Sequence, residues 1–211
     1  MIRLHHLNQS RSLRILWLLE VLKNQYDIDY EVITHQRDPV THLATESLKA
    51  IHPLGKSPVI EVEGEVVAES GAIVEFLIDR YAPDLRPQAD SMEYAKYLQW
   101  IHFAESSLML PILMEVFVAK EGIRDTQFLL QYIDKEKSKV LNYLNDNLAN
   151  KSYLVADKLT GADFMLSFVV LMLNKKQALA DYPHIAYYAK HLMSLPSLQQ
   201  AMALEKQYDM S

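Results

Sequence analysis

Between His52 and Ser70 the chain reads HPLGKSPVIEVEGEVVAES, and four of its residues offer groups that suit one ligand. Lys56 supplies a cation, Ser57 a backbone placed directly before Pro58, Glu69 an anion, and Ser70 the start of an amphipathic run, GAIVEFLIDRY. A helix beginning at Ser70 points free N–H groups and the positive end of its dipole outward, which attracts a carboxylate. Lys56 can hold a second carboxylate, and Glu69 an ammonium. Proline is tolerated at the first position of a strand, and a cis bond there would turn the Ser57 N–H and C=O outward, free to pair with an extended peptide as an added strand. The spacing therefore suits a small extended ligand with carboxylates at its ends and an amide between them. Singly, a Gly-Lys turn and a Ser cap are ordinary surface features; only their joint spacing around Pro58 points to a ligand.

Several elements must hold these groups in place. The alternating segment 58–62 reads as a strand, Glu63-Gly64 as a hairpin turn, and 66–68 as the returning strand. Ile73, Phe76, Leu77 and Tyr81 then share one helical face. Upstream, 2–7 and 30–33 read as strands and 41–50 as an irregular helix. The helix over 12–23 is apolar nearly all round, so it belongs inside, packed on a sheet. The order β-α-β-α-β-β-α over residues 1–82 is that of an α/β, thioredoxin-like layer. Two prolines and several polar residues break both periodicities around Ala82-Pro83-Asp84-Leu85-Arg86-Pro87, which predicts a linker over 83–90 and a second domain over 91–211. That second domain reads as an all-α helical bundle: a long run over 92–120 bent at Pro111, another over 126–148, a buried helix after the box Thr160-Gly161-Ala162-Asp163, and shorter helices over 185–192 and 197–207.

Composition narrows the function. With 211 residues, 50% hydrophobic, there is ample material for a core, while a net charge of −6 and the lack of any long basic cluster argue against nucleic acid as a partner. The opening MIRLHHLNQS has no signal-peptide core, and no segment reads as the ~20 apolar residues of a membrane span, so the expected location is cytoplasmic. Adjacent His5 and His6 point to opposite faces of their strand, and His184 and His191 lack a third ligand, so no metal site is expected. There is no cysteine, which removes disulfides, thiolate metal sites and dithiol exchange by the chain itself. In a thioredoxin-like domain of this kind, a reactive sulfur has to arrive with a ligand.

The pattern Pro53-x-Gly55-Lys56-x-Pro58, followed by Glu69-Ser70 and Ala72-Ile73, resembles the glutathione site of the cytosolic glutathione transferases. The residue before the proline is commonly valine in that family, so Ser57 departs from it at a contact made by the main chain. The buried helix behind the Thr160–Asp163 box resembles the C-terminal domain of the same family, so the likeness spans nearly the whole chain. LNQSRSLRILWLLE and YLQWIHFAESSLMLPIL look more narrowly like a bacterial and fungal subgroup. The resemblance implies glutathione as co-substrate held by Lys56, Ser57, Glu69 and Ser70, a small electrophilic second substrate, and a two-fold homodimer. It also implies that an acid such as Glu105 could reach across the dimer interface to the ammonium.

A thiol near its ordinary pKa of roughly 8.5 is mostly protonated at neutral pH, and lowering it by about two units takes roughly 2.7 kcal/mol of preferential thiolate stabilisation. A hydroxyl donor at a helix N-terminus is a source of that size. Ser10 stands there, similar to the serine-type members, in which such a hydroxyl bonds the glutathione sulfur. Asn8, Arg11 and Ser12 are rivals, and the alternative role for Ser10 is a helix cap alone. His42 is either within reach of the glycyl end or a solvent-facing residue. Trp100, Phe103, Ser107, Met109, Leu110 and Met114 could line an apolar cleft for the second substrate, or could be core. The leading expectation is a glutathione transferase, with conjugation and hydroperoxide reduction both open to its thiolate. The alternative is a non-catalytic binding or regulatory module of the same fold.

Overall fold

A computed structural model describes residues 1–41, 43–122 and 127–209 of the chain. In order, the elements are β1 (Ile2–Leu7), α1 (Ser12–Tyr26), β2 (Tyr30–His35), α2 (Glu46–Lys49), β3 (Val59–Val62), β4 (Glu65–Ala68) and α3 (Ser70–Tyr81). A 3-10 turn over Pro83–Leu85 leads to α4 (Met92–Phe103), a π-helical turn (Ala104–Leu108), α5 (Met109–Glu121), α6 (Gln127–Asn147), α7 (Gly161–Lys175), α8 (Pro183–Ser194) and α9 (Pro196–Asp209). The four strands form one mixed sheet in the order β2-β1-β3-β4. β1 runs parallel to β2 and antiparallel to β3, and β3 and β4 form the antiparallel hairpin around Glu63 and Gly64. This is the thioredoxin-like layer expected from the pattern.

Two compact units emerge. The first joins Met1–Arg86 to His191–Ser211, and the second is Pro87–Lys190. The sequence division put 191–211 with the helical domain, whereas the contacts of α9 are with α1. The reason is α1 itself, in which Ser12 through Leu22 are all buried. A helix that is apolar on every side needs cover on every side. β1 and α3 cover part of α1, and α9 supplies more. The Trp17 indole N–H donates to Ser197 Oγ at 3.0 Å, so the one polar atom of a fully buried ring is satisfied by α9.

Two local expectations are corrected. The irregular helix over 41–50 shrinks to the single turn Glu46–Lys49. Ahead of it, Asp38 Oδ1 accepts from the N–H groups of Val40 and Thr41 and from the Thr41 hydroxyl, so side chains capture backbone donors that a helix would have used. The start of the 126–148 helix at Thr126 falls outside the described residues. The long run over 92–120 is interrupted not at Pro111 but at the π-helical turn Ala104–Leu108 before it. Pro111 has no N–H, and its ring crowds the carbonyl four residues back, at Ser107, so the ladder opens in the turn that precedes the proline. Ser106 Oγ donates to the His102 carbonyl at 2.9 Å within this opened turn.

The combined stretch Met92–Glu121 is long and apolar enough to cross a membrane by length and composition, contrary to the sequence expectation. Its Tyr97, Ile101, Ala104, Leu108 and Ile112 are instead buried in the core of the second unit, where α4 packs on α7.

α7 is capped as the sequence predicts. Thr160 and Asp163 form a capping box, with the Thr160 N–H and hydroxyl donating to Asp163 Oδ2 at 2.8 and 3.0 Å. Asp163 Oδ1 accepts from the Leu154 N–H at 3.2 Å and the Tyr188 hydroxyl at 2.7 Å. Asp163 is 0% exposed. Burial pushes its carboxyl up to about 6, against the hydrogen bonds that pull it down. Because the folded pKa lies above the unfolded one, the native state holds this proton longer, and the group's contribution to stability falls as pH rises from about 4 to about 6. Asp163→Asn leaves at least one backbone donor facing an amide N–H, and is expected to lose about 2 kcal/mol or more. Urea unfolding across this range should show the gap between wild type and Asp163→Asn narrowing as pH rises.

Candidate functional site

The strand directions gather the predicted residues at one end of the sheet. β1 pairs with β3 through His5↔Val59, so the end of β1 lies beside the start of β3. β3 pairs with β4 through Val59↔Ala68, so the end of β4 lies there too. The Asn8–Arg11 loop leaves β1 at this end, Lys56, Ser57 and Pro58 enter β3 at it, and Glu69 and Ser70 leave β4 at it. The Ser57-Pro58 peptide is cis. The backbone N–H and C=O of Ser57 take no backbone partner among the described residues. Ser57 Oγ donates to the His5 carbonyl at 2.8 Å, a tie between β1 and the loop that a valine could not make.

Glu69 caps α3 with φ +71°, a conformation that side chains other than glycine's rarely adopt. The first N–H groups of α3, which starts at the buried Ser70, have no carbonyl of their own helix to pair with. Lys56 and Glu69 are exposed and lie on this rim. Lys56 also borders a hollow of about 810 Å³ formed with Asp38, Thr41, Lys49 and Leu54. His42 lies outside the described residues.

Around Ser10 the local geometry separates the rivals. Ser10 Oγ accepts from the Ser12 N–H at 3.1 Å, and the Ser10 carbonyl accepts from the Leu13 N–H at 3.3 Å. Ser10, one residue before the N-cap Arg11, therefore satisfies the first N–H of α1 with a lone pair and keeps its own proton to donate. Ser12 is buried, with Oγ 2.7 Å from His6 Nδ1, while His6 Nε2 is 2.9 Å from Asn8 Oδ1. Burial lowers the His6 pKa to about 4, so the ring is neutral, and Glu205 Oε1 at 3.9 Å forms no ion pair with it. An amide oxygen only accepts, which places the ring proton on Nε2 and makes Nδ1 the acceptor of the Ser12 hydroxyl. The Ser12 proton is thus committed to His6. Asn8 presents its oxygen to His6, which turns its NH₂ away from the ring.

Three sets of contacts in this region carry no local sequence signal, because they join distant parts of the chain. Arg37 Nε and Nη2 donate to the Asn8 carbonyl at 3.0 and 2.8 Å, and Nη2 also donates to the Gln9 carbonyl at 3.0 Å. The Gln9 N–H donates to Glu205 Oε1 at 3.1 Å. Across the sheet, His5 bridges Glu61 Oε1 (2.8 Å) and His35 Nε2 (2.9 Å), and His35 Nδ1 reaches Ser47 Oγ at 2.8 Å. The hydrogen bond from His5 holds the Glu61 carboxyl below its usual range.

In the second unit, Phe103, Ser107, Leu110 and Met114 line a groove of about 580 Å³ together with Tyr132 and Tyr143. Trp100 and Met109, expected beside them, are buried instead. The Trp100 ring stacks on Tyr143 with centroids 5.4 Å apart and meets Phe103 edge-on at 5.1 Å, so it forms the wall behind the groove.

Comparison with known proteins agrees with this architecture. Residues 1–79 match the family "Glutathione S-transferase, N-terminal domain" and residues 107–196 match "Glutathione S-transferase, C-terminal domain". The chain is 35% identical to glutathione S-transferase 3 of Schizosaccharomyces pombe over 184 residues, 81% of this chain and 73% of that protein. It is 30% identical to glutathione S-transferase 1 of Saccharomyces cerevisiae over 218 residues, 92% of this chain and 90% of that one. The crystal structure of a glutathione S-transferase from Actinobacillus pleuropneumoniae superposes with a TM-score of 0.86 at 35% identity, covering 98% of this chain and 93% of that one. Shorter matches reach elongation factor 1-gamma, such as that of Artemia salina, at 30% identity over 57% of this chain and 27% of that protein. The chain belongs to the glutathione S-transferase family.

Proposed function

We propose that this protein is a glutathione transferase of the serine type, with residues 1–82 as the glutathione-binding domain. The observation that carries the reading is the convergence of Ser10, Lys56, Ser57, Glu69 and Ser70 at one end of the sheet, fixed by the pairings His5↔Val59 and Val59↔Ala68. Glutathione lies extended along the Ser57 backbone as an added strand. The N–H groups at the start of α3 take one carboxylate, Lys56 takes the other, and Glu69 takes the ammonium. The Ser10 hydroxyl donates to the sulfur and, with the N-terminus of α1, favours the thiolate. The thiolate attacks an electrophilic carbon, forming a C–S bond as a leaving group such as chloride departs with its electron pair, or as a π pair shifts and is protonated in an addition; the same thiolate opens hydroperoxide reduction. The aromatic groove of the second unit suits an apolar second substrate. The family likeness supports a cytoplasmic homodimer.

The matches to elongation factor 1-gamma support a second reading, a binding module without turnover. Retention of Lys56, Glu69 and Ser70 favours the enzyme, since a module that binds no glutathione has no use for them. Capture on immobilised glutathione followed by conjugation of chlorodinitrobenzene separates the two, because a protein that binds but does not turn over is the module.

Removing one charge-assisted hydrogen bond to the sulfur costs about 1.5–3 kcal/mol, so Ser10→Ala should lower kcat about 10- to 100-fold with little change in glutathione affinity. The thiolate-limited rise of its rate with pH should move to higher pH by about one to two units. Unchanged turnover in Ser10→Ala would transfer the donor role to Asn8 or Arg11. Lys56→Ala should act on binding, raising the KM for glutathione about tenfold and leaving kcat within about threefold. Ser57→Val should leave glutathione affinity unaltered, because the ligand contact is main-chain, while thermal denaturation shows a loss of about 1 kcal/mol from the missing Ser57–His5 hydrogen bond.

A further inference from the structure

The loop that carries Ser10 is held from two sides by groups of opposite charge. Arg37, just beyond β2, takes the carbonyls of Asn8 and Gln9. Glu205, on α9, takes the Gln9 N–H at 3.1 Å across a separation of 196 residues. Between these holds Gln9 sits at φ +52°, in the left-handed region. A residue with a side chain stays there only where its surroundings over-determine it. The two holds supply that determination, because together they engage both carbonyls and the intervening N–H. Beneath the loop, the buried His6 ring lies 5.8 Å from the Tyr208 ring, also on α9.

We propose that Glu205 is a positioning residue for the sulfur site: by accepting from the Gln9 N–H it fixes the left-handed turn that presents the Ser10 hydroxyl, with Arg37 as the opposing hold. The inference rests on Ser10 being the donor to the sulfur. Glu205 acts through the loop and not on the sulfur, since a carboxylate facing a thiolate would repel it. C-terminal residues are thereby part of the equipment of a site otherwise built from the first 70 residues.

The test is to titrate the ultraviolet thiolate absorbance of glutathione bound to wild type and to variants at Glu205, with thermal melting run alongside. Glu205→Ala should raise the midpoint by about one unit and lower kcat at neutral pH about tenfold, with the KM for glutathione changed less than about twofold. Glu205→Gln keeps a carbonyl acceptor and loses the charge, so its midpoint should fall at or below that of wild type. Glu205→Asp keeps the charge and withdraws the acceptor, so it should shift upward; this pair decides the matter if Glu205→Ala does not fold. A folded Glu205→Ala with the wild-type midpoint, or Glu205→Gln shifted upward as far as Glu205→Asp, overturns the inference. A wild-type midpoint equal to that of free glutathione overturns the sulfur-site reading as well.

Discussion

An α-helix without a polar face cannot sit at a surface, and α1 is such a helix. From Leu13 to Leu22 its apolar side chains are inaccessible to water. Most of the first unit follows from providing walls for it: β1 on one side, α3 beside it, and α9 brought back from the far end of the chain. Each buried Leu or Ile is worth about 1.5–3 kcal/mol relative to exposure, so leaving a single side of α1 open would forfeit a large share of a typical domain's net stability. The same requirement gives the site its shape. With α1 fixed against β1, the short loop between them has little freedom, and its N-terminal dipole is directed at the sheet end where β3 begins and β4 finishes.

The chemistry at that end divides into two kinds of work. In the proposed site, recognition would fall to backbone groups: the N–H and C=O of Ser57 and the first N–H groups of α3 beside Glu69. Activation, on the same proposal, would fall to the loop after β1, where a neutral buried histidine takes the proton of one hydroxyl and not the other. His6 draws the Ser12 proton inward and turns the Asn8 oxygen toward itself, leaving the Ser10 proton uncommitted. A charged His6 would reverse the bond to Ser12, since Nδ1 would then donate to that hydroxyl, and burial disfavours this.

What could be read from residue order, and what could not, follows from the range of the interactions. The hairpin, the proline at the mouth of β3, the α3 start at Ser70 and the Thr160–Asp163 cap are local, and each leaves a mark within a few residues. The opened turn at Ala104–Leu108 is also local, but proline marks only the position of the obstacle, and the ladder yields a turn earlier. Trp100 and Met109 share helical spacing with Phe103 and Leu110, and only the packing of α4 on α7 and of α5 on α6 shows which of them face inward. Arg37 and Glu205 were invisible for a plainer reason: each meets the Asn8–Ser10 loop through pairings set by the whole fold. The Ser57 hydroxyl is a case between these, conspicuous as a departure from valine but without meaning until the His5 carbonyl is placed beside it.

The pairing of α1 with α9 also governs when the protein can mature. The Trp17 indole and its Ser197 acceptor are 180 residues apart. At translation rates of about 5–20 residues per second, Trp17 leaves the ribosome roughly 10–40 s before the helix that finishes its cover. During that interval a nascent chain displays one flank of its most apolar helix, together with an unfinished loop. The burial of α1 is therefore completed only after α9 has been made.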